Sequence, residues 1–294
     1  MAELPSVGNR ASIRYRSADG LTDVIGHIEA VSPLVRVHTK SDGVIEIDPA
    51  GIVSVQELSH RTVRNSEIRA LEHAAALAWP GTEQQWVGGW FLRAAGGHTS
   101  RANSAVPLEM SATLAELPAV IAWYRERDLP AWLAAPERLL RVRAEGTKAN
   151  RVMVCDITVG PPTPGVTFAH SPDAAWLGLY ERPVPVPVLT AVIDGEVTFA
   201  SIADAAVGRG AVTSAPDGTR WLGITSVRVA DEHRRHGHAR TLCAALLNWG
   251  AERGATRCYV QVLVDNTAAI HLYESMGFTL HHRVSYVAAE SLLA

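Results

Sequence analysis

The sequence predicts a mixed α+β protein, and three observations carry that prediction. The first 58 residues hold several short alternating runs separated by turn signals, and the last third alternates strand and helix patterns. Hydrophobic residues make up 47% of the 294-residue chain and charged residues 19%, which is enough apolar material for a buried core. At about 100–200 residues per domain, we expect two or three domains, with boundaries at 1–60, 61–185 and 186–294.

The N-terminal region predicts a small β-barrel. Five short strands are expected at 10–16, 23–31, 34–39, 44–47 and 52–55, with Ser41-Asp42-Gly43 as a hairpin turn. Five strands in so few residues favour an SH3-like barrel. Residues 1–60 contain five Lys/Arg and eight Asp/Glu, so we interpret the barrel as a scaffolding or docking domain rather than a nucleic-acid module.

The middle region mixes helices and strands. We expect a helix at 66–79 with Ser66 as its N-cap, then a hairpin whose strands, 85–93 and 100–106, flank Ala95-Gly96-Gly97. A helix at 111–127 and strands at 139–144 and 151–158 follow. Proline-rich residues 160–165 predict a loop, and residues 183–187 an extended linker or the entry to an edge strand.

The last third predicts a mixed sheet flanked by helices. Strands 188–193 and 196–202 form a hairpin around Asp194-Gly195, and a strand at 221–229 leads to a helix at 238–253. A strand at 257–264, a helix at 266–276 and a strand at 278–287 complete a β-β-β-α-β-α-β order.

A basic loop joins the strand at 221–229 to the helix that follows it. It reads Arg234-x-x-Gly237-x-Ala239, with further charges on Arg235 and Arg240. Backbone N–H groups converge at such a helix start, and the helix dipole adds roughly half a positive charge there. Small residues let the backbone approach a ligand closely. The pattern therefore predicts a site for a phosphate-bearing ligand; a solvated basic turn is the alternative.

Two blocks of residues resemble the GNAT superfamily of acyl-CoA-dependent N-acetyltransferases. The loop matches that superfamily's Arg/Gln-x-x-Gly-x-Gly/Ala pattern, and residues 265–278 match Asn-x-x-Ala-x-x-Leu-Tyr-x-x-x-Gly-Phe. The resemblance covers residues 188–287. It implies a GNAT-type mixed sheet and an acetyl-CoA cosubstrate.

A narrower resemblance covers more of the chain. The stretch from Gly89 to Ser104 is similar to a segment of an actinobacterial GNAT group that carries an SH3-like N-terminal domain. That group includes the corynebacterial-type N-acetylglutamate synthases. The resemblance implies that residues 61–185 form a diverged GNAT-like half that shapes the acceptor side.

The superfamily resemblance also implies roles for individual residues. Val227, Arg228 and Val229 would hold pantetheine through their backbone, and the Val229 N–H would donate to the thioester oxygen. Tyr273 would protonate the departing thiolate, or else pack only between helix and sheet. Asn266 would lie near the cosubstrate, cap its helix, or do both. The residues implied to hold the diphosphate are Arg234, Arg235, His236, Gly237, His238, Ala239 and Arg240.

The acceptor side is less defined. Arg101 could bind an acceptor carboxylate or form a surface salt bridge, and Asn103 lies beside it in the predicted strand. Strand 221–229 contains no carboxylate, so we assign no general base; a water relay, Glu109 or another acid of the first half are the options.

The function predicted is acetyl transfer from acetyl-CoA to the primary amine of a small, amino acid-like acceptor, possibly glutamate. A protein or peptide N-acetyltransferase and a non-catalytic acetyl-CoA sensor are the alternatives. A net charge of −3 argues against nucleic-acid binding, and the absence of a leader pattern or an apolar run of eighteen residues predicts a cytoplasmic protein without a membrane partner. The three cysteines predict buried thiols rather than disulfides or metal ligands, we expect no metal site, and the oligomeric state stays open.

Overall fold

The computed structural model describes residues 4–17, 20–140 and 146–293. It divides into two compact units. The first ends at Val63 and also takes in Thr279–His282, and the second contains Arg64–Phe278 and continues from Arg283.

The first unit is a five-stranded antiparallel sheet. Its strands are β1 (Arg10–Ser17), β2 (Gly20–Ala30), β3 (Val35–Thr39), β4 (Val44–Ile47) and β5 (Ile52–Leu58), in the order β4-β3-β2-β1-β5. Alternate residues such as Ile13, Ile28 and Val37 are buried on one face, as the period-2 pattern requires. The five predicted strands are therefore confirmed.

In its described residues, the second unit contains an eight-stranded mixed sheet, a three-stranded sheet and six α-helices. The helices are α1 (Asn65–Ala78), α2 (Leu117–Arg125), α3 (Ala174–Tyr180), α4 (Val186–Thr190), α5 (His238–Glu252) and α6 (Thr267–Glu274). The strands of the small sheet are β6 (Glu83–Val87), β7 (Trp90–Ala94) and β8 (Val106–Pro107).

The large sheet takes strands from both sides of residue 185. Before it come β9 (Trp132–Pro136), β10 (Thr147–Asp156) and β11 (Thr167–Ala169), and after it come β12 (Glu196–Ile202), β13 (Ala206–Ser214), β14 (Arg220–Val229), β15 (Arg257–Leu263) and β16 (Thr279–Ala288). The order is β11-β12-β13-β14-β15-β10-β16-β9. The mixed α+β class predicted from the sequence is confirmed.

Helices cover the sheet on two faces. Leu242, Cys243 and Leu246 of α5 pack against Leu222 and Ile224 of β14. Another cluster joins Leu71 and Ala75 of α1 to Trp221 and Tyr259 of the same sheet. Burial on both faces explains why β14 and β15 read as nearly continuous apolar runs.

The C-terminal elements follow the prediction closely, whereas several earlier elements differ. The predicted strand at 188–193 is wrong, because Pro187 lies in the first turn of α4 and fixes a helical φ there. Buried Arg209 then donates to the carbonyl oxygens of Leu189 at 2.6 Å and Ala191 at 3.0 Å, which satisfies groups that a strand would have paired. The hairpin of this region joins β12 to β13 instead.

The predicted hairpin around Ala95-Gly96-Gly97 is also misplaced. The chain reverses at Gly88 and Gly89, whose φ values of +50° and +89° suit a tight turn, and β6 pairs with β7 there. Of the strand expected at 100–106, residues 100–103 form a turn with flanking bends, and only Val106 belongs to a strand, β8.

Helix boundaries in the middle region shift as well. The N-cap of α1 is Arg64, whose N–H donates to the Glu67 carboxylate at 2.8 Å, so Ser66 lies inside the first turn. The predicted helix at 111–127 is a 3-10 turn at Leu114–Glu116 followed by α2.

The strand predicted at 139–144 falls largely outside the described residues, since 141–145 are not described. Leu139 and Leu140 lie in a turn, and the strand in this region is β9. Within the described residues, no helix has the length and apolar character needed to cross a membrane.

Candidate active site

The central feature of the second unit is the separation of β14 from β15. These parallel strands pair only from Trp221 to Gly223 on β14, opposite Arg257 to Tyr259 on β15. Beyond that point they diverge and open a cleft of about 720 Å³. Its walls include residues 224–228 of β14, 260–263 of β15, the loop at 97–101, Tyr180 and residues 182–184. The cleft therefore lies at the carboxyl ends of two parallel strands, where open sheets commonly bind ligands.

Gly223 marks the last paired position. A Cβ atom built there would lie 2.3 Å from the Tyr259 hydroxyl oxygen, so only glycine leaves room for this ring at the point of divergence. The tyrosine ring in turn packs 6.3 Å from the Trp221 ring beneath the cleft.

A β-bulge shapes the β14 wall. Arg209 of β13 pairs with Thr225 of β14, and Val207 pairs with Arg228. Two residues of β14, Ser226 and Val227, therefore lie opposite a single residue of β13. Ser226 has a φ of +57°, and its hydroxyl donates to the Tyr180 hydroxyl at 3.3 Å. Sequence reasoning missed Ser226, because only its backbone conformation distinguishes it from any other strand serine.

The bulge and its register fix where the Val229 backbone points. Ala230 donates its N–H to the Ala205 carbonyl at 2.9 Å. Hydrogen-bonded and non-hydrogen-bonded pairs alternate along an antiparallel ladder, so the neighbouring pair, Val229 with Ala206, is of the second kind. The Val229 N–H therefore points away from β13, toward the side from which β15 has separated. Val227 and Arg228 line the cleft itself.

The basic loop follows β14 through a 3-10 turn at Asp231–His233 and leads into α5. Arg235 and Gly237 have φ values of +65° and +84°, and a Cβ at Gly237 would meet open space. As Gly237 is the N-cap, no side chain caps α5, and the N–H groups of its first turn have no helical acceptor. The loop is exposed and lies outside the walls of the cleft.

The charges of the loop are partly balanced within the protein. Arg234 forms an ion pair with Asp231 at 2.7 Å, and the Arg240 guanidinium donates to the backbone carbonyl and the hydroxyl of Ser275. The rings of His236 and His238 are 6.1 Å apart. Among the described residues no group of three potential metal ligands exists.

Helix α6 brings Asn266 and Tyr273 to the cleft. The Asn266 side chain accepts the Ala269 N–H at 3.1 Å, so it caps α6 as well as lining the cleft. Burial raises the pKa of Tyr273 well above its ordinary value. Tyr273 thus stays protonated at neutral pH, as a general acid must.

The structure separates Arg101 from Asn103. Arg101 lines the cleft, where its Nε donates to Gln261 Oε1 at 2.6 Å. Asn103 lies outside the cleft walls and is 5% exposed. Its amide accepts the N–H groups of Ala95 and Gly97 and donates to the carbonyls of His98 and Thr99, at 2.6–3.0 Å. Asn103 holds the loop rather than facing a ligand, because every hydrogen-bonding position of its amide is used.

The walls of the cleft are positively charged. Arg101, Lys148, Arg182 and Arg228 line it, and the described lining residues include no Asp or Glu. Lys148 donates to the Ser100 hydroxyl at 2.7 Å, and Arg228 pairs with Glu181 and Asp231 from outside the walls. Glu109, one option for a base, is exposed, bonded to the Ser111 hydroxyl and not among the lining residues.

Comparisons with known proteins show that the fold is that of the GNAT N-acetyltransferases. A GCN5-related N-acetyltransferase from Kribbella flavida superposes with a TM-score of 0.52 and 15% identity, over 77% of this chain and 95% of that one. At this identity the likeness shows the shared fold.

The particular family is shown by closer matches. Residues 65–287 match the family model described as "Probable histone acetyltransferase Rv0428c C-terminal", and the chain belongs to that family. A Mycobacterium tuberculosis protein named "Probable histone acetyltransferase Rv0428c" is 48% identical over 99% of this chain and 98% of its own length. "Uncharacterized N-acetyltransferase YobR" from Bacillus subtilis is 26% identical over 72% of this chain and 95% of its own. The chain is therefore a GNAT-type N-acetyltransferase, a class that uses acetyl-CoA.

The N-terminal unit has its own match. Residues 5–56 match a model described as "Rv0428c N-terminal Sm-like domain". The unit is thus similar to Sm-like domains, and the SH3-like assignment stays a prediction.

Proposed function

We propose that the cleft binds acetyl-CoA and transfers its acetyl group to the primary amine of a small, amino acid-like acceptor. The observation that carries this proposal is the separation of β14 and β15 beside an uncapped helix start. The unpaired edge of β14 can hydrogen-bond an amide chain such as pantetheine. The N–H groups at the start of α5, further along the chain, can bind a diphosphate.

The donor residues follow from this arrangement. The backbone of Val227, Arg228 and Val229 would pair with pantetheine, since β15 leaves that edge of β14 unpaired. The first-turn N–H groups of His238, Ala239 and Arg240, with Gly237 and the charges of Arg234 and Arg235, would hold the diphosphate. His236 would contribute its backbone, and Asn266 would lie beside the bound molecule at the start of α6.

Two groups of the chain would then act during transfer. The Val229 N–H faces the open side of β14 and would stabilise the negative charge that develops on the thioester oxygen. Tyr273 would give its proton to the departing thiolate, and the burial that raises its pKa keeps that proton available. Acetyl-CoA itself supplies the acetyl group as a reactive thioester.

The acceptor preference rests on the charge of the walls. Arg101, Lys148 and Arg182 line the cleft without a facing carboxylate among the described lining residues. A guanidinium fork matches a carboxylate in two hydrogen bonds, so an acceptor with a free carboxylate fits this surface. Glutamate is one such acceptor, and the corynebacterial-type likeness supports it.

A protein lysine acetyltransferase is the second candidate, and the name of the mycobacterial relative favours it. The same walls argue against it, since a lysine-rich tail would bring further positive charge to a cationic cleft.

The test compares acceptors that differ only in charge. Thiol release from acetyl-CoA is measured with L-glutamate, other free amino acids, their C-terminal amides, and a lysine-rich peptide. We expect kcat/KM to fall at least about tenfold from an amino acid to its amide, equivalent to about 1.4 kcal/mol of lost carboxylate recognition. Preference for the peptide would instead support the protein acetyltransferase.

A further inference from the structure

We propose that His98 is the general base that removes a proton from the acceptor ammonium. This inference rests on the proposed function, since it assigns the proton acceptor of that reaction. The observations are that His98 lines the cleft and that its loop is fastened in place from within the protein.

The composition of the cleft leaves few groups able to accept a proton. Among the described lining residues there is no Asp or Glu. The remaining charged side chains are Arg101, Lys148, Arg182 and Arg228, and arginine and lysine are hydrogen-bond donors rather than acceptors. An imidazole is the side chain whose ordinary pKa, about 6.5, allows it to take up a proton in this range.

The three tyrosines of the walls are unsuited to this role. Burial raises the pKa of Tyr273 and of Tyr286, so both hydroxyls stay protonated at neutral pH. The Tyr180 hydroxyl oxygen accepts a hydrogen bond from Ser226, so one of its acceptor positions is already used. His98 is therefore the base that the walls present.

The backbone of the loop that carries His98 is held by several hydrogen bonds. The His98 carbonyl accepts from the Asn103 amide at 2.6 Å, and the His98 N–H donates to the Ala95 carbonyl at 3.0 Å. Thr99, which follows with a φ of +62°, has its hydroxyl bonded to the Trp79 indole and to the Ala102 N–H. Held at both its carbonyl and its N–H, His98 has a defined position from which to meet a substrate.

The reaction balances with His98 in this role. The imidazole takes one proton from the acceptor ammonium, and the neutral amine forms a C–N bond to the thioester carbonyl. The C–S bond then breaks, the thiolate takes a proton from Tyr273, and Tyr273 regains one from the amide nitrogen by way of solvent. The proton on His98 passes to solvent, which leaves acetyl amide, free CoA thiol and one released proton.

His98→Gln tests the inference, with L-glutamate, L-lysine and a lysine-rich peptide as acceptor probes. We expect kcat to fall about 10²–10⁴-fold at neutral pH, while calorimetric affinity for acetyl-CoA stays within about twofold. The ascending limb of the kcat–pH profile should move to the alkaline range, where the amine loses its proton unaided. Imidazole added to His98→Ala should restore part of the rate.

His170→Gln is the matched control, because His170 is exposed and is not a lining residue of the cleft. It should retain the parent kcat and pH profile. If His98→Gln keeps kcat within about threefold of the parent with an unchanged profile, the inference is wrong while the proposed function stands. If the parent acetylates none of the probes or free amino acids, the proposed function fails first.

Discussion

The two sides of the cleft are built in different ways. The proposed donor side is residues 224–229, the loop that lies just outside the walls, and α6; it comes from one stretch, residues 224–274, and its chemistry is mainly that of the backbone. The proposed acceptor side, residues 97–101 with Tyr180 and 182–184, depends on distant partners: Arg101 bonds to Gln261, and Lys148 bonds to Ser100. A backbone site is specified by local conformation, whereas a side-chain site requires the whole fold. Acetyl-CoA binding and acceptor binding should therefore be separable by mutation.

The largest effect is expected at the donor side, from Gly237→Asp. The substitution strains a position with a φ of +84° and puts a negative charge where the diphosphate is proposed to bind. Calorimetric affinity for acetyl-CoA should fall at least about 100-fold, or about 2.7 kcal/mol.

Gly218→Asp is the matched control for this change. Gly218 has a φ of +83°, also faces open space, and lies in the turn between β13 and β14, away from the cleft. It should lose comparable stability and keep its affinity for acetyl-CoA. Retained affinity in Gly237→Asp would remove the loop from the proposed site.

Tyr273→Phe should separate chemistry from binding on the donor side. We expect kcat to fall about 100-fold, since the thiolate loses its proton donor, and acetyl-CoA affinity to change less than threefold. Tyr124→Phe is the control, because the Tyr124 hydroxyl donates only to the Arg93 carbonyl, at 3.0 Å, in the interior. An unchanged kcat in Tyr273→Phe would leave Tyr273 with a packing role.

Arg101→Gln probes the acceptor side with a neutral side chain. The KM for a carboxylate-bearing acceptor should rise about 20-fold, or about 1.8 kcal/mol, without a change in acetyl-CoA affinity. The KM for the corresponding amide should barely change. Equal losses for acid and amide would mean that Arg101 supports the wall instead of binding a carboxylate.

The smallest effect is expected from Asn103→Asp, which changes only the hydrogen bonds that hold the loop at 97–101. The carboxylate can still accept the hydrogen bonds that the amide oxygen accepts. It cannot donate to the His98 and Thr99 carbonyls, so those two hydrogen bonds are lost, and it adds a negative charge at the same place. Denaturant unfolding should show a loss of about 1.5 kcal/mol. Asn248→Asp, which loses one similar bond at an exposed site, should lose less. Equal losses would argue that burial does not strengthen the Asn103 bonds.

The difference between local backbone features and long-range side-chain contacts also explains what could be predicted from the sequence. The strand and helix patterns of the last third are local, and they predicted elements that the structure confirms: β14, α5, β15, α6 and β16. The bulge at Ser226 was not predictable, because it depends on the register with β13. Residues 188–193 have a composition typical of strands. They do not form one, because Pro187 favours the helical turn of α4 and the buried Arg209 binds backbone carbonyl oxygens of the segment. Asn103 was placed at the substrate because nothing in the sequence shows that its amide is already occupied.

The position of β10 has a consequence for how the second unit unfolds. This strand comes from residues 147–156, yet it lies between β15 and β16 in the sheet. A fragment beginning at residue 186 would lose β9, β10 and β11, which leaves β16 without a neighbouring strand and β12 and β15 each with an unpaired edge, and such edges favour aggregation. The acetyl-CoA side thus cannot melt independently of the residues that shape the acceptor side. Thermal denaturation of residues 64–293 should be a single cooperative transition, and a destabilising change in either half should lower the same midpoint.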